Sequence, residues 1–314
     1  MTCRICHSTE ISESLSAREM MLGLREVFIY DLCASCGCLQ IRHIPDDLAP
    51  YYPEAYYSFQ FDPASNRAKI EALHNRAICG DRNLAGMLLN TVFNNRMLES
   101  FAQLDPPKEA AILDIGCGSG KLLHFLREQG YTHTLGIDPF LQKEITYENG
   151  LRILRQSPTT LSERFDVVMM HHAYEHVPDP HQTLREIAGL LKPGGTCLIR
   201  IPWVDCEAFE TYREHWVALD APRHLHLHSL KSMQLVATQA GLDVVNHYTD
   251  STGMQLWASE QYKNDIPLFD NQSMARNKAK QLTRFPYRLA CDRKTKRLND
   301  ACRGDNAVFV LRLA

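Results

Sequence analysis

The sequence of 314 residues lacks the features that mark a membrane protein or a general nucleic-acid binder. No apolar run approaches the roughly 20 residues that a helix needs to cross a bilayer, so we expect no membrane insertion. No apolar stretch follows a basic start, which argues against a signal peptide and favours a cytoplasmic protein. The formal net charge of −3 offers nucleic acid no general attraction.

A disulfide framework is also missing, because the eleven cysteines are odd in number and scattered. Five of them nevertheless crowd into the first 38 residues, where they include two Cys-x-x-Cys pairs. These pairs are Cys3 with Cys6 and Cys33 with Cys36. Four thiolates at this spacing suit a closed structural zinc site, and a metal would stabilise a segment too short to bury much core. We therefore predict a zinc-binding module over residues 1–60, with His7 and Cys38 as spare ligands and unliganded core cysteines as the alternative.

Two further segments complete the predicted domain organisation. Residues 61–105 place apolar and charged positions at helical spacing and are predicted to be a helical connector that Pro106 and Pro107 end. The tyrosine-rich stretch 51–59 before it is expected to pack at the junction. Residues 106–314 are predicted to form the main domain, with an insertion at about 253–303.

The stretch AAILDIGCGSG (110–120) is an apolar strand that breaks into glycines ahead of a helix. Gly116, Gly118 and Gly120 allow the backbone to approach a ligand closely. The spacing G-x-G-x-G does not meet the dinucleotide fingerprint, because Lys121 stands where the next glycine would be. Asp114 would also repel a phosphate, so the loop suits a cationic or hydroxyl-bearing ligand.

Strands and helices continue to alternate beyond this loop. TLGIDP (134–139) is a short strand ending in Asp138, whose carboxylate can accept hydrogen bonds from both hydroxyls of a ribose. FDVVMMHH (165–172) and TCLIRIP (196–202) are further strands, and a helix between them begins at Asp179-Pro180. The pattern predicts an α/β fold with a doubly wound parallel sheet.

Together, LDIGCGSG, GIDP, FDVV…EHVPDP and LKPGG resemble the class I S-adenosylmethionine-dependent methyltransferases over about residues 106–250. The resemblance implies a Rossmann-like sheet of seven strands and S-adenosyl-L-methionine as cofactor. It implies that the glycine loop holds the methionine end, that Asp138 binds the ribose, and that His171 lines the pocket near the sulfonium. The implied cofactor-binding residues are Asp114, Ile115, Gly116, Cys117, Gly118, Gly120, Ile137, Asp138, Pro139 and His171.

Histidines cluster in HHAYEHVPDP (171–180). On a helix, His172, Glu175 and His176 would share one face and would suit a divalent metal. Most members of the resembled family use no metal here; its ubiquinone-pathway O-methyltransferases carry carboxylates, and this chain departs from them at His172. We favour His172 as a residue that contacts substrate and a hydrogen bond between Glu175 and His176, and a metal bound by all three stays an alternative.

A second cluster, HWVALDAPRHLHLHS (215–229), resembles a subgroup of these methyltransferases that acts on sugars and other small metabolites. In sugar C-methyltransferases with an N-terminal zinc module, a histidine precedes a similar serine-started helix, and His224 matches it in order. The resemblance implies His224 as the general base, since a histidine can accept a proton at neutral pH. His226 and His228 alternate with leucines, and Ser229 is predicted to cap the next helix.

The leading hypothesis is S-adenosylmethionine-dependent methylation of a small hydroxylated metabolite, a sugar or a sugar-linked compound, at oxygen or carbon. An RNA base methyltransferase with a zinc module is the second hypothesis, which the acidic charge and the missing N/D-P-P-aromatic motif disfavour. A non-catalytic cofactor-binding scaffold is the third. The basic stretch 275–300 is interpreted as a solvated helical face or as a landing patch for an acidic substrate or RNA. The oligomeric state is left open.

Overall fold

The computed structural model describes residues 2–53, 61–65, 68, 71, 75 and 95–314. The strands are β1 (Ile11–Arg18), β2 (Val27–Cys33), β3 (Leu39–Ile41), β4 (Ile112–Ile115), β5 (Thr134–Ile137), β6 (Ile145–Thr146), β7 (Arg152–Leu154), β8 (Phe165–His171), β9 (Leu191–Pro202), β10 (His226–Leu227), β11 (Leu242–Thr249) and β12 (Asn306–Leu313). The α-helices are α1 (Arg96–Ala102), α2 (Lys121–Glu128), α3 (Pro180–Leu190), α4 (Glu207–Tyr212), α5 (Leu230–Gln239), α6 (Met254–Lys263), α7 (Lys278–Thr283) and α8 (Phe285–Asp300).

These strands form two sheets. The larger has eight strands in the order β11-β12-β9-β8-β4-β5-β7-β6, and the smaller has the order β1-β2-β3-β10. The described chain divides into two compact units. The first unit comprises residues 1–53, 174–184 and 201–309, and the second comprises 54–173, 185–200 and 310–314.

The second unit contains a parallel arrangement centred on β4. This strand pairs in parallel with β5 on one side and β8 on the other, so that Asp114 lies opposite Gly136 and Met169. All four residues of β4 are buried, as expected for a central strand of an α/β sheet. The register brings the carboxyl ends of β4 and β5, and hence Asp114 and Asp138, to the same edge.

The first unit contains the small antiparallel sheet. β3 pairs with β2 and also with β10, where His226 lies opposite Gln40. The cysteine-rich segment therefore shares a sheet with residues directly after His224. Following β10, Ser229 caps α5 through a reciprocal capping box with Ser232, which confirms the predicted cap.

The α/β fold is confirmed, and two details differ from expectation. The large sheet has eight strands instead of seven, because the two-residue β6 adds an antiparallel edge next to β7. The strand β9 begins at Leu191, before the predicted strand 196–202, and its pairing with β8 shifts register between Leu191 and Thr196.

Several predicted segments fall wholly or partly outside the described residues. Residues 54–59 of the tyrosine-rich stretch and most of the connector lie there, although α1 falls near the end of the connector. The predicted boundaries at 60 and 105 stay a prediction. None of the helices in the described ranges combines the length and the apolar character required to span a bilayer.

Candidate functional site

The loop between β4 and α2 is built on backbone conformations that favour glycine. Gly116, Gly118 and Gly120 have φ of 72°, 55° and 76°, in the left-handed region. A Cβ on Gly116 would lie 2.6 Å from the Cβ of Ala173, and one on Gly120 would lie 2.3 Å from Cδ1 of Ile153. Conformation therefore favours glycine at all three positions, and space also requires it at Gly116 and Gly120.

Two carboxylates at the ends of β4 and β5 are buried next to this loop. Asp138 accepts hydrogen bonds from the backbone N–H groups of Gly118 (2.9 Å) and Phe140 (2.9 Å). Burial raises the pKa of Asp138, and burial together with the charge of Asp138 raises the pKa of Asp114 to about 8. The Asp114 Oδ1 atom is buried and has no hydrogen-bond partner among the described residues.

His171 adds further buried polar atoms without partners at the end of β8. Neither ring nitrogen of His171 has a hydrogen-bond partner in the described part of the chain. Burial, and then the charges of Arg200 and His172, hold the pKa of His171 well below its usual range, so the ring is neutral. Buried polar groups without partners are costly, and a polar or cationic ligand at this position would satisfy them.

The other implied cofactor residues divide between sheet interior and surface. Ile115 and Ile137 are buried strand residues, whereas Pro139 is exposed directly after Asp138. Cys117 lies in the glycine loop, where burial raises the pKa of its thiol. The Cys117 thiol is therefore protonated and adds no charge to the loop.

His172 does not lie on a helix, so the predicted helical face shared with Glu175 and His176 is wrong. Its φ of 52° turns the chain directly after β8, and its N–H donates to the carbonyl of Arg200 (2.8 Å). The Arg200 guanidinium also contacts the His172 Nε2. Arg200 lies 28 residues further along the chain, and the sequence indicated only that it belongs to a strand.

In the first unit, the side chains of Glu175, His176 and His224 converge, and their ligand atoms lie within 4.8 Å of one another. The His224 Nε2 lies 3.9 Å from Glu175 Oε1 and 3.8 Å from Asp220 Oδ2. The His224 Nδ1 contacts the Ala218 carbonyl at 2.7 Å. His224 thus replaces His172 in the group that the sequence suggested as metal ligands.

His176 has partners other than the expected Glu175. Its Nδ1 contacts the backbone carbonyl of Arg223 at 2.8 Å and the Tyr52 hydroxyl at 3.2 Å. Burial lowers the pKa of His176, although the charge of Glu175 opposes this. The ring therefore has a fixed orientation, and Tyr52 is a member of this cluster that the sequence pattern did not identify.

The two histidines that alternate with leucines are core residues. His226 and His228 are fully buried, and burial lowers the pKa of each to about 3. The ring of His228 stacks on Tyr174 with centroids 5.4 Å apart. Neither is suited to accept a proton at neutral pH.

The four predicted zinc ligands converge into one cluster in the first unit. The Sγ atoms of Cys3, Cys6, Cys33 and Cys36 all lie within 4.8 Å of one another, with 3.7 Å between Cys3 and Cys36 and 3.5 Å between Cys6 and Cys33. All four are free thiols. Tetrahedral zinc with bonds of about 2.3 Å places sulfurs about 3.8 Å apart, so the cluster fits this ion.

Both cysteine pairs use the same turn. The N–H of His7 donates to the carbonyl of Cys3 (3.0 Å), and that of Gly37 donates to the carbonyl of Cys33 (2.9 Å). His7 and Gly37 also share a positive φ, at 59° and 74°. The spare ligand His7 instead stacks on His181, and the buried Cys38 lies outside the cluster of four.

The family model for a methyltransferase domain matches residues 91–247, half of the 314 residues. The chain belongs to the methyltransferase-domain family. The match covers β4 to β11 with the glycine loop, Asp138 and the histidine clusters, and it agrees with the resemblance of the motifs to S-adenosylmethionine-dependent enzymes.

Individual relatives match smaller parts of this chain. A ubiquinone biosynthesis O-methyltransferase of Escherichia coli O127:H6 is 33% identical over 94 residues, which cover 27% of this chain and 39% of the relative. The chain thus spans about two fifths of the length of this curated relative.

Two solved structures are similar to this chain at low sequence identity. One is a methyltransferase solved with the Trm112 methyltransferase activator of Haloferax volcanii, with a TM-score of 0.47, 18% identity and coverage of 76% of this chain and 97% of that chain. The other is an S-adenosylmethionine-dependent methyltransferase from Mesorhizobium loti, with a TM-score of 0.45, 14% identity and coverage of 69% and 98%.

Proposed function

We propose that this protein transfers a methyl group from S-adenosylmethionine to a small hydroxylated metabolite, a sugar or a sugar-linked compound, at oxygen or carbon. Membership of the methyltransferase-domain family supports the reaction class. The resemblance of the segment 215–229 to sugar methyltransferases supports the acceptor class.

The observation that carries the proposal is the set of buried polar atoms without partners beside a glycine cradle. Asp114 Oδ1 and both His171 nitrogens have no partner among the described residues, and a Cβ at Gly116 would clash with Ala173. These residues fit the cofactor, since Asp114 suits a cationic amino group and Asp138 suits the ribose hydroxyls. When bound, S-adenosylmethionine supplies a methyl group already activated on a cationic sulfur, so the protein must mainly align the acceptor and accept its proton.

His224 is the proposed proton acceptor. Because a backbone carbonyl only accepts, the contact with Ala218 (2.7 Å) assigns the proton to Nδ1 and leaves the Nε2 lone pair available. Two carboxylates, Glu175 and Asp220, lie 3.9 and 3.8 Å from that Nε2 and stabilise the imidazolium formed when it takes a proton.

His172 is the weaker candidate for the base. The guanidinium of Arg200 is always a donor, so its contact with the His172 Nε2 engages the lone pair that a base needs. A role for His172 in contacting substrate stays the proposal made from the sequence. The cysteine cluster is proposed to hold a structural zinc ion through Cys3, Cys6, Cys33 and Cys36.

The proposal is tested with the full-length, zinc-loaded protein. Cofactor binding is measured by calorimetry with S-adenosylmethionine, and turnover by formation of S-adenosylhomocysteine with a panel of nucleotide-linked and free sugars. We expect His224→Gln to retain cofactor affinity but to lose about 100-fold or more in kcat, the usual contribution of a general base. The exposed His133 provides the matched control as His133→Gln.

Each outcome has a defined meaning. No cofactor binding refutes the methyltransferase proposal as a whole. Full turnover in His224→Gln refutes the base, and a lower kcat in His172→Gln alone exchanges the two roles. If the protein methylates RNA, binds RNA in a salt-dependent way in a mobility-shift experiment and turns over no sugar, the acceptor is nucleic acid.

A further inference from the structure

Apolar side chains are exposed in an unusual concentration between α7 and the first turns of α8. The exposed fractions are 79% for Leu282, 58% for Phe285, 38% for Tyr287 and 37% for Leu289. These four are among nine exposed large hydrophobic residues in the described chain, yet they occupy only eight consecutive positions. Single exposed apolar residues need no explanation, but a contiguous group indicates an interaction surface.

Positive charge surrounds these side chains. Residues 275–291 contain no Asp or Glu, although the chain as a whole has a net charge of −3. The segment's basic residues are Arg276, Lys278, Lys280, Arg284 and Arg288. Within the described ranges, none of them forms an ion pair with a carboxylate.

Leu282, Phe285 and Leu289 lie off the buried face of α8, whereas the Tyr287 hydroxyl hydrogen-bonds to Cys291. The buried face of α8 consists of Cys291, Thr295 and Leu298, spaced as successive turns of one side. Phe285 and Leu289 are four residues apart and lie on another face, and α7, which carries Leu282, has no buried residue. The fold therefore leaves this face uncovered in the described part of the chain.

We propose that residues 276–289 form a docking surface for a membrane that contains anionic lipids. Leucine and phenylalanine side chains enter the boundary between headgroups and acyl chains, while flanking Lys and Arg side chains attract the negative surface. A second copy of this chain is disfavoured, because two such faces would bring like charges together without any carboxylate. RNA is disfavoured because the most exposed side chain, Leu282, cannot stack on bases.

The surface requires no membrane-spanning helix and does not depend on the proposed methyl transfer. Its effect would be to concentrate the protein at a bilayer, where association falls as salt screens the basic side chains. An acceptor located in or near the membrane would then be within reach, but vesicle binding itself needs neither acceptor nor cofactor.

Vesicle flotation tests the proposal with the full-length, zinc-loaded protein and no cofactor. Vesicles of phosphatidylcholine and phosphatidylglycerol in equal parts are compared with pure phosphatidylcholine. We expect binding to the anionic vesicles only, and a loss of about 10-fold or more in Leu282→Ser/Phe285→Ser, where apolar burial is removed. Arg284→Gln/Arg288→Gln is expected to weaken binding by about fivefold per side chain and to reduce its salt dependence.

The matched control is Leu24→Ser/Val245→Ser, which removes exposed apolar side chains elsewhere in the first unit and should leave vesicle binding unchanged. Thermal unfolding verifies that all variants fold. Absence of binding, equal binding to both vesicle types, or unchanged binding by Leu282→Ser/Phe285→Ser overturns the proposal. A dimer in sedimentation that this variant disrupts, without vesicle binding, assigns the surface to a second copy and also overturns it.

Discussion

The cysteine cluster and the glycine loop satisfy their polar atoms in opposite ways. The four thiols converge on one another within 4.8 Å, and each pair is held by the same backbone turn. At the glycine loop, by contrast, Asp114 and His171 hold buried atoms without partners among the described residues. The first arrangement suits an ion that stays bound, and the second suits a ligand that arrives and leaves.

The two sites also differ in their electrostatics. The thiol cluster presents ligands that bind a cation in their deprotonated form, so the ion and its site form together. Burial disfavours the ionised form of Asp114 before any ligand arrives, as its raised pKa of about 8 shows. We therefore expect loss of the first site to affect folding and loss of the second to affect binding.

The largest effect is expected from Cys3→Ala, which should lower the free energy of unfolding by about 4 kcal/mol or more through loss of the metal. Cys38→Ala is the matched control, since Cys38 is equally buried but lies outside the cluster, and it should cost only about 1 kcal/mol. Thermal unfolding and metal analysis measure both. Retention of one zinc per chain by Cys3→Ala would contradict the assignment.

An intermediate effect is expected from Gly116→Ala, which should weaken S-adenosylmethionine binding by about tenfold or more. Its new Cβ would meet Ala173 at 2.6 Å, whereas a Cβ on Gly194 meets nothing within 4 Å. Both glycines have a similar positive φ, 72° and 78°. Gly194→Ala should therefore strain the backbone by the same amount, about 1–2 kcal/mol, without the clash. Equal affinities of the two variants in calorimetry would show that the loop does not form the cradle.

The most gradual effect is the pH dependence that Asp114 imposes. Its folded pKa is raised from 3.8 to about 8, so the unfolded state binds fewer protons between these values and the ligand-free protein loses stability as pH rises through this window. A cationic ligand favours the ionised form, so cofactor affinity should rise from pH 6 towards pH 8, by at most about tenfold per pH unit.

Calorimetry and thermal unfolding across this range test both trends. Asp114→Asn should bind the cofactor more weakly, and both its affinity and its stability should lose this part of the pH dependence. A wild-type affinity that falls as pH rises would exclude Asp114 as the residue that faces a cation.

Features encoded by local spacing could be predicted from the sequence. The glycine loop follows from an apolar strand that meets three alternate glycines, and Asp138 from the end of the next strand. The two Cys-x-x-Cys pairs predicted the cluster of four, because each pair forms its own turn. The cap at Ser229 and the helix start at Pro180 likewise depend only on neighbouring residues.

Features that depend on distant contacts could not be predicted. The helical spacing of His172, Glu175 and His176 suggested a shared face. His172 has a φ of 52°, which is not helical, so it does not share a helix with the other two residues. His224 reaches Glu175 because its loop folds back on the 174–176 turn, where the Leu225 N–H donates to the Glu175 carbonyl (2.8 Å). No periodicity in either segment encodes that pairing.

The pairing of β3 with β10 has a practical consequence for enzymology. Tyr30, on the strand beside β3, donates to the His224 carbonyl (2.8 Å), and the Ser229 hydroxyl donates to the Cys36 carbonyl (2.6 Å). Stripping the ion with EDTA would therefore disturb the backbone on both sides of the proposed base. Inhibition by chelation would then result from loss of this structural support for His224. It would be no evidence that a metal takes part in the chemistry.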